Sequence, residues 1–300
     1  ANIHDLLLKC VEGHCNIIVS GETGSGKTEF VKYLASHTKE NEKIITIEDT
    51  LELHLDKIFP HRDIVAMKTN NIASYTDVLV TCMRQNPKWI LLSEVRSAEA
   101  VTAVRNSISS GHNILSTIHA DKASAIPYRL YSLLETDIDV DQFLTTIYRY
   151  IQLGVHIKAY YSKEYGKFHR EVDEVVEFYV DENNKPISKT LYQKTYGKQP
   201  VQNMPSKHLI EYLENQNINI DNLLTSTGDS LEEMNDEIDK VASTNQNNNL
   251  STPISDPLHG INKEINNTSQ SDNQDSFVMS NNTVEDTISL PKIPFPNEVL

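Results

Sequence analysis

Gly21-Glu22-Thr23-Gly24-Ser25-Gly26-Lys27-Thr28 is the stretch of this chain whose residue types and spacing most directly specify chemistry. It fits the pattern G-x-x-x-x-G-K-[ST], in which glycines let successive backbone N–H groups turn inward around phosphate oxygens. Lys27 then reaches the β and γ oxygens of a nucleoside triphosphate, and the Thr28 hydroxyl holds Mg²⁺. An apolar run, Asn16 to Ser20, precedes the loop, and Glu29 to Ser36 follows it with Phe30, Val31, Leu34 and Ala35 at helical spacing. Strand, loop and helix thus stand in the order that delivers a phosphate to a helix N-terminus.

Phosphoryl transfer also needs carboxylates and a cation around the phosphates. In parallel α/β sheets ligands gather beyond the carboxyl ends of the strands, so polar residues at those ends are the ones to weigh. The run Ile44 to Ile47 ends in Glu48-Asp49, with Glu52 close behind; Trp89 to Ser93 leads into Glu94; Ile114 to Ile118 leads into His119. Glu48 is expected as general base, and Glu94 as the acid that holds the metal's water shell or polarises the attacking water. His119 is placed to donate to the γ-phosphate. Arg84 and Arg96 flank the fourth run and pair with Glu94, with phosphate, or with structural partners. A helix cap is the bland alternative for a lone acid, and a hydrogen-bonded structural imidazole for His112 and His119.

These residues need a scaffold, and the texture of the chain describes one. Residues 3 to 11 read as a helix stopped at Gly13. Ile44 to Ile47, Ile64 to Met67, Trp89 to Leu92 and Ile114 to Ile118 are apolar with little alternation, as expected of parallel strands covered on both faces. Tyr75 to Arg84 and Ala98 to Ser109 carry helical spacing, which makes a doubly wound α/β pattern. Beyond Ile151 the pattern changes. Gln152 to Tyr161 and Val172 to Val180 alternate, and Asp181 to Pro186 is a turn signal before Ile187 to Gln193, which predicts an antiparallel meander at the sheet edge. Residues 206 to 224 predict a short helix and its cap.

Composition divides the chain. Residues 226 to 300 hold 13 acidic residues and 3 lysines, so they carry −10 of the total −15 and leave about −5 to the rest. That tail, rich in Asn and Ser, is expected to be disordered, with 231 to 241 as a transient acidic helix, and to serve as a solvated appendage or a docking arm for a basic partner. The mildly acidic remainder argues against a broad basic nucleic-acid platform; Lys57, His61, Arg62 and Lys68 form a thin cluster. Three cysteines without a C-x-x-C pair suit a reducing compartment and no structural zinc, with Cys10 and Cys15 as packing residues. No apolar run reaches the ~18 residues of a membrane span. Beginning with Ala, the chain reads as a fragment whose upstream part is missing. The division expected is 1–200, 201–225 and 226–300.

Four ordered stretches resemble the boxes of the type II/type IV secretion ATPase superfamily, the traffic motors of conjugation, type IV secretion, tight adherence and type IV pili. They are Gly21 to Thr28, Ile45 to Leu53 with Glu48, Asp49 and Glu52, Met83 to Arg96, and Ser110 to Ala120 with His112 and His119. The resemblance covers about residues 1 to 195. It implies a RecA-like ATPase domain that uses ATP and Mg²⁺, with Glu94 as Walker B acid and His112 and His119 as the histidine box. It also implies a homo-hexamer at the cytoplasmic face of the inner membrane, working with secretion or pilus platform proteins or a DNA–protein transfer complex. Ser93, Ser97 and Glu29 depart from the family's usual Gly, Asp and Thr. Those departures keep open a nucleotide-gated platform with weak hydrolysis, and a DNA translocase is a further alternative. The missing zinc insert points toward conjugation, type IV secretion or tight adherence.

Overall fold

The structure is a computed structural model that describes residues 3–69, 73–135, 138–163, 166–195 and 198–223. One compact unit spans Ala1–Asn247; the second, Asn248–Leu300, lies outside the described residues, as does the expected disordered tail with its acidic helix.

In chain order the elements are α1 (Ile3–Glu12), β1 (Ile17–Gly21), α2 (Lys27–Ser36), β2 (Ile44–Glu48), α3 (Leu55–Ile58), β3 (Ile64–Lys68), α4 (Tyr75–Met83), β4 (Trp89–Val95), α5 (Ala98–Ser109) and β5 (Asn113–Ile118). A 3₁₀ turn at Ala123–Ala125 leads to α6 (Ile126–Ser132), α7 (Val140–Tyr150), β6 (Leu153–Ser162), β7 (Lys167–Val180), β8 (Pro186–Gln193), β9 (Val201–Gln202) and α8 (Lys207–Asn215). All nine strands form one sheet in the order β3-β2-β4-β5-β1-β6-β7-β8-β9. The first six in that order are parallel neighbours, and β6 to β9 are antiparallel. The expected α/β class, a mostly parallel sheet with an antiparallel extension, is what the chain forms. β6 joins the two parts, pairing parallel to β1 before the chain reverses into β7.

Each central strand is mainly apolar because successive side chains enter different cores. Ile18, Ile45, Ile47, Ile90 and Leu92 pack with Leu79 of α4, Val104 of α5 and Phe143 of α7. Ile17, Val19, Leu91 and Leu115 pack with Leu6 of α1, Leu34 of α2 and Leu213 of α8. Cys10, Cys15 and Cys82 are free thiols inside these cores, as packing residues.

Sequence reasoning passed over α6 and α7. In α6, Pro127 falls in the first turn, where its missing N–H costs nothing. In α7, Val140, Thr145, Thr146 and Ile147 have weak helix propensity, yet Phe143, Leu144, Ile147 and Tyr148 share one buried face. Asp139 caps that helix, its Oδ1 accepting from the Gln142 N–H at 2.7 Å.

Three buried polar residues lock the elements in register. Asn16 sits between neighbours of β1: its Oδ1 accepts from the Ile114 N–H at 2.8 Å and its Nδ2 donates to the Tyr150 carbonyl at 2.6 Å. Glu174 accepts from the N–H groups of Ala123 and Ser124 and so holds the 3₁₀ turn after β5. Glu177, 1 % exposed, accepts from the N–H and hydroxyl of Ser206 and fastens the start of α8. Burial pushes the Glu177 carboxyl upward, against the lowering effect of the Ser206 bonds.

Candidate functional site

β1 ends in Gly21, whose φ of 151° is open to glycine alone; a Cβ there would lie 2.4 Å from the Ile157 carbonyl oxygen. Gly24 and Gly26 take left-handed φ values of 75° and 92°, so the loop doubles back and feeds α2 at Lys27. No side chain caps the N-terminus of α2, which leaves its partial positive charge directed into the loop. Glu22 and Thr23 stand exposed on the crest, and Ser25 is buried with its Oγ lacking a hydrogen-bond partner. The Lys27 ammonium is folded under the loop, donating to the carbonyls of Gly21 at 3.0 Å and Glu22 at 2.8 Å. Burial lowers its pKa, while the charges of Glu94 and Glu52 act the other way. Both carboxylates therefore lie within electrostatic reach of the ammonium.

Glu94 is aimed by a bulge. Between the pairs Leu92–Ser116 and Val95–Ile118, two residues of β4 stand against Thr117 alone, so β4 kinks where its acid emerges. The Thr117 hydroxyl donates to the Ser93 carbonyl at 2.5 Å, and the Ser116 hydroxyl to that of Leu92 at 2.8 Å, which holds the kink. Glu94 Oε1 then lies 2.7 Å from His119 Nε2 at the end of β5, both side chains partly open to solvent. Two residues expected separately at neighbouring strand ends are thus in contact.

Glu48 differs from expectation. Its carboxylate is 0 % exposed and accepts from the Thr46 hydroxyl at 3.1 Å and from the N–H groups of Glu52 and Leu53, each at 2.9 Å. A carboxylate so enclosed holds the 49–53 segment in shape, and its burial weighs against the expected general-base role in this arrangement. The segment it holds presents Glu52, whose Oε2 lies 3.5 Å from the Thr28 hydroxyl. Glu52 is the acid that sequence reasoning left out of the site, although it lies in the same box.

Arg96 pairs with Asp49 across the ends of β4 and β2. His112 and Arg84 do not join the site. His112 precedes β5, with its Nδ1 2.9 Å from the Ser110 hydroxyl, and Arg84 follows α4 ahead of β4, so both lie at the amino end of the sheet. Burial lowers the His112 pKa. Arg62, from the thin basic cluster, caps α2 by donating to the carbonyls of Ala35 and Lys39 and to the Thr38 hydroxyl. The three departures noted in the boxes fill structural roles: Ser93 forms the bulge, Ser97 caps α5, and Glu29 pairs with Lys32 at 2.7 Å.

Two further cations border the loop. Arg170, on β7, donates from Nε to the Gly24 carbonyl at 3.0 Å. Arg129, on α6, donates to the His119 carbonyl at 3.0 Å and lines, with Gly21, Glu22, His119 and Tyr128, an open cleft of about 510 Å³. Neither carries a local signal: Arg170 meets Gly24 from 146 residues away, and Arg129 comes beside Gly21 only once β5 has paired with β1. Among the described residues no helix is long and apolar enough to cross a membrane.

An uncharacterized protein of Bacillus anthracis is 34% identical over 178 residues, which cover 59% of this chain and 40% of that protein. The type IV secretion system protein VirB11 of Bartonella quintana is 39% identical over 126 residues, covering 40% of this chain and 34% of the relative. The crystal structure of the VirB11 ATPase of the Brucella suis type IV secretion system, in complex with sulphate, superposes with a TM-score of 0.52 at 27% identity, over 61% of this chain and 53% of that one. The chain thus spans well under two thirds of these relatives' length. A family profile described as "Type II/IV secretion system protein" matches residues 1–242, and the fold and boxes above agree with it: the chain belongs to the type II/IV secretion system protein family.

Proposed function

We propose that the chain binds Mg²⁺-ATP on Gly21 to Thr28, hydrolyses it, and passes the resulting motion to a type IV secretion, conjugation or pilus-type machine. The observation that carries this reading is the convergence of Lys27, Thr28, Glu52, Glu94 and His119 at the carboxyl end of one sheet. Thr28, Glu52 and Glu94 offer the hard oxygen donors that suit Mg²⁺ bound chiefly through phosphates and water. When bound, the ion neutralises triphosphate charge and orients the γ-phosphate.

The residues divide the remaining work. Lys27 exchanges two loop carbonyls for β and γ oxygens, stronger acceptors for an ammonium. The N–H groups of the loop and of the first turn of α2 hold the phosphates. Glu94 polarises the attacking water, and His119, bonded to Glu94, reports whether a γ-phosphate is present. Glu52, beside Thr28, orients the metal's water shell. Glu48 and Arg96 act through the 49–53 segment as positioning residues. In this reading residues 1–200 are the ATPase domain, 201–225 its helical close and 226–300 an acidic appendage. Six copies form a ring at the cytoplasmic face of the inner membrane, against platform proteins or a DNA–protein transfer complex. Family membership and the type IV secretion relatives support that assembly.

The test is steady-state phosphate release from Mg²⁺-ATP at several protein concentrations, beside Lys27→Ala and Glu94→Gln. Release that rises with concentration and disappears in both variants is expected. Release that survives both substitutions would refute the placement of the site.

A further inference from the structure

β6 does not stop where β1 stops. Gly21 pairs with Ile157, and β6 runs on from there to Ser162 with β7 antiparallel beside it. This overhang of five residues extends roughly 16 Å past the carboxyl end of β1 and forms a wall alongside the phosphate loop. Its two faces differ. Leu153, Val155 and Ile157 pack in the same core as Val31 and Leu34 of α2, so by alternation Ala159 and Tyr161 continue on the α2 side. On β7 the bulge between the pairs His156–Glu174 and Ile157–Val172 leaves Val172, and hence Arg170 and Phe168, on that same side.

On this face Arg170 pairs with Ala159 and Phe168 with Tyr161. Arg170 reaches the phosphate loop, donating to the Gly24 carbonyl, and its Cδ lies 3.2 Å from where a Cβ on Gly26 would stand. One step further along the same face, about 7 Å away, the rings of Tyr161 and Phe168 meet edge to face at 6.3 Å between centroids. Those rings are 59% and 55% exposed. The opposite face is engaged differently: Tyr160 packs on His169, and Lys194 pairs with Glu171. Two exposed rings side by side next to a phosphate loop offer open π faces to a stacking ligand.

We infer that the Tyr161–Phe168 pair is the base-binding platform of the nucleotide site, with Arg170 between it and the phosphates. The occupant is the nucleoside end of the same triphosphate. With its phosphates on Gly24 to Thr28, the ribose passes Arg170 and the base reaches the rings, which hold it by stacking. Stacking reads a π face and not a pattern of donors, so ATP and GTP bind alike. This inference rests on the nucleotide reading above and adds which residues hold the base.

Inorganic tripolyphosphate separates the two readings, because it carries the phosphates without the base. Binding of Mg²⁺-ATP and of tripolyphosphate is measured for the wild-type chain, Tyr161→Ala, Phe168→Ala, Phe168→Trp and Lys27→Ala. Each aromatic-to-Ala variant is expected to lose about tenfold in ATP affinity and nothing in tripolyphosphate affinity, whereas Lys27→Ala loses both. Phe168→Trp keeps ATP affinity, and its fluorescence is quenched by ATP and GTP but not by tripolyphosphate. Wild-type ATP affinity in both Ala variants, or equal loss of both ligands, would overturn the platform while leaving the phosphate site intact. Wild-type chain that binds neither probe would overturn both readings.

Discussion

The two ends of the parallel sheet use the same residue types for different ends. At the amino end, His14 Nε2 lies 2.6 Å from Glu42 Oε1, and the Trp89 indole N–H donates to the other oxygen of Glu42 at 2.9 Å. His14 and Trp89 are buried, and the histidine and its acid are 11% and 12% exposed as side chains. At the carboxyl end, the His119–Glu94 pair has nearly the same separation, yet the side chains are 41% and 28% exposed. A sealed pair stores structure; an open pair beside a phosphate loop can exchange partners. Distance alone does not separate a structural histidine from a functional one. What separates them is the end of the strand on which they sit and the loops that close over them.

The largest effects should come from breaking the carboxyl end. Lys27→Ala and Glu94→Gln are each expected to cut phosphate release by ~10²-fold or more without lowering the melting temperature, while His112→Ala at the amino end leaves turnover unchanged; paired kinetics and calorimetry check this. The contrast sharpens inside the 48–52 box. Glu52→Gln should reduce turnover at constant stability. Glu48→Ala should unfold more readily by about 2 kcal/mol, since it strands buried donors of Glu52, Leu53 and Thr46. A stable but inactive Glu48→Ala chain would instead support the expected general-base role.

Smaller effects lie at the sealed sites and show in pH. Burial pushes Glu42 upward, but the bonds from His14 and Trp89 and the charge of His14 outweigh it and hold the carboxyl below 4.5. A depressed carboxyl contributes stability above its unfolded value that is lost as pH falls through the folded one. The wild-type melting temperature should therefore drop more steeply below pH 4.5 than that of Glu42→Gln. Glu177 should behave in the opposite sense. Burial raises its pKa above 4.5, so its contribution, present at low pH, is lost as pH rises through the elevated value. Glu177→Gln should gain slightly on the wild type toward neutral pH, and a flat difference between the two would remove that account.

The legible parts of this protein were those written locally. Gly21 to Thr28 announces its loop because glycine, lysine and hydroxyl constraints act within eight residues. The strands β1, β2, β4 and β5 announce themselves because burial on both faces favours apolar runs, with a few polar side chains hydrogen-bonded inside. The alternation of β6 to β8 gave away the antiparallel extension for a related reason, one face being wetter than the other. Helix α7 stayed hidden because its β-branched residues oppose helix propensity and packing against β7, β8, α5 and α6 overrides them.

By itself, then, the amino-acid sequence determined the phosphate loop, the α/β class and the acids and histidine at strand ends, since each depends on neighbours in the chain. Tertiary structure alone decided which of those acids is enclosed and which is open. Glu48 and Glu52 stand in one box, and a sequence cannot say that hydrogen bonds close over the first and leave the second beside Thr28. It also decided that His112 lies at the far end of β5 from His119, and that Arg170 reaches Gly24 from 146 residues away. Those outcomes depend on strand order and register, which are set by packing the whole sheet at once.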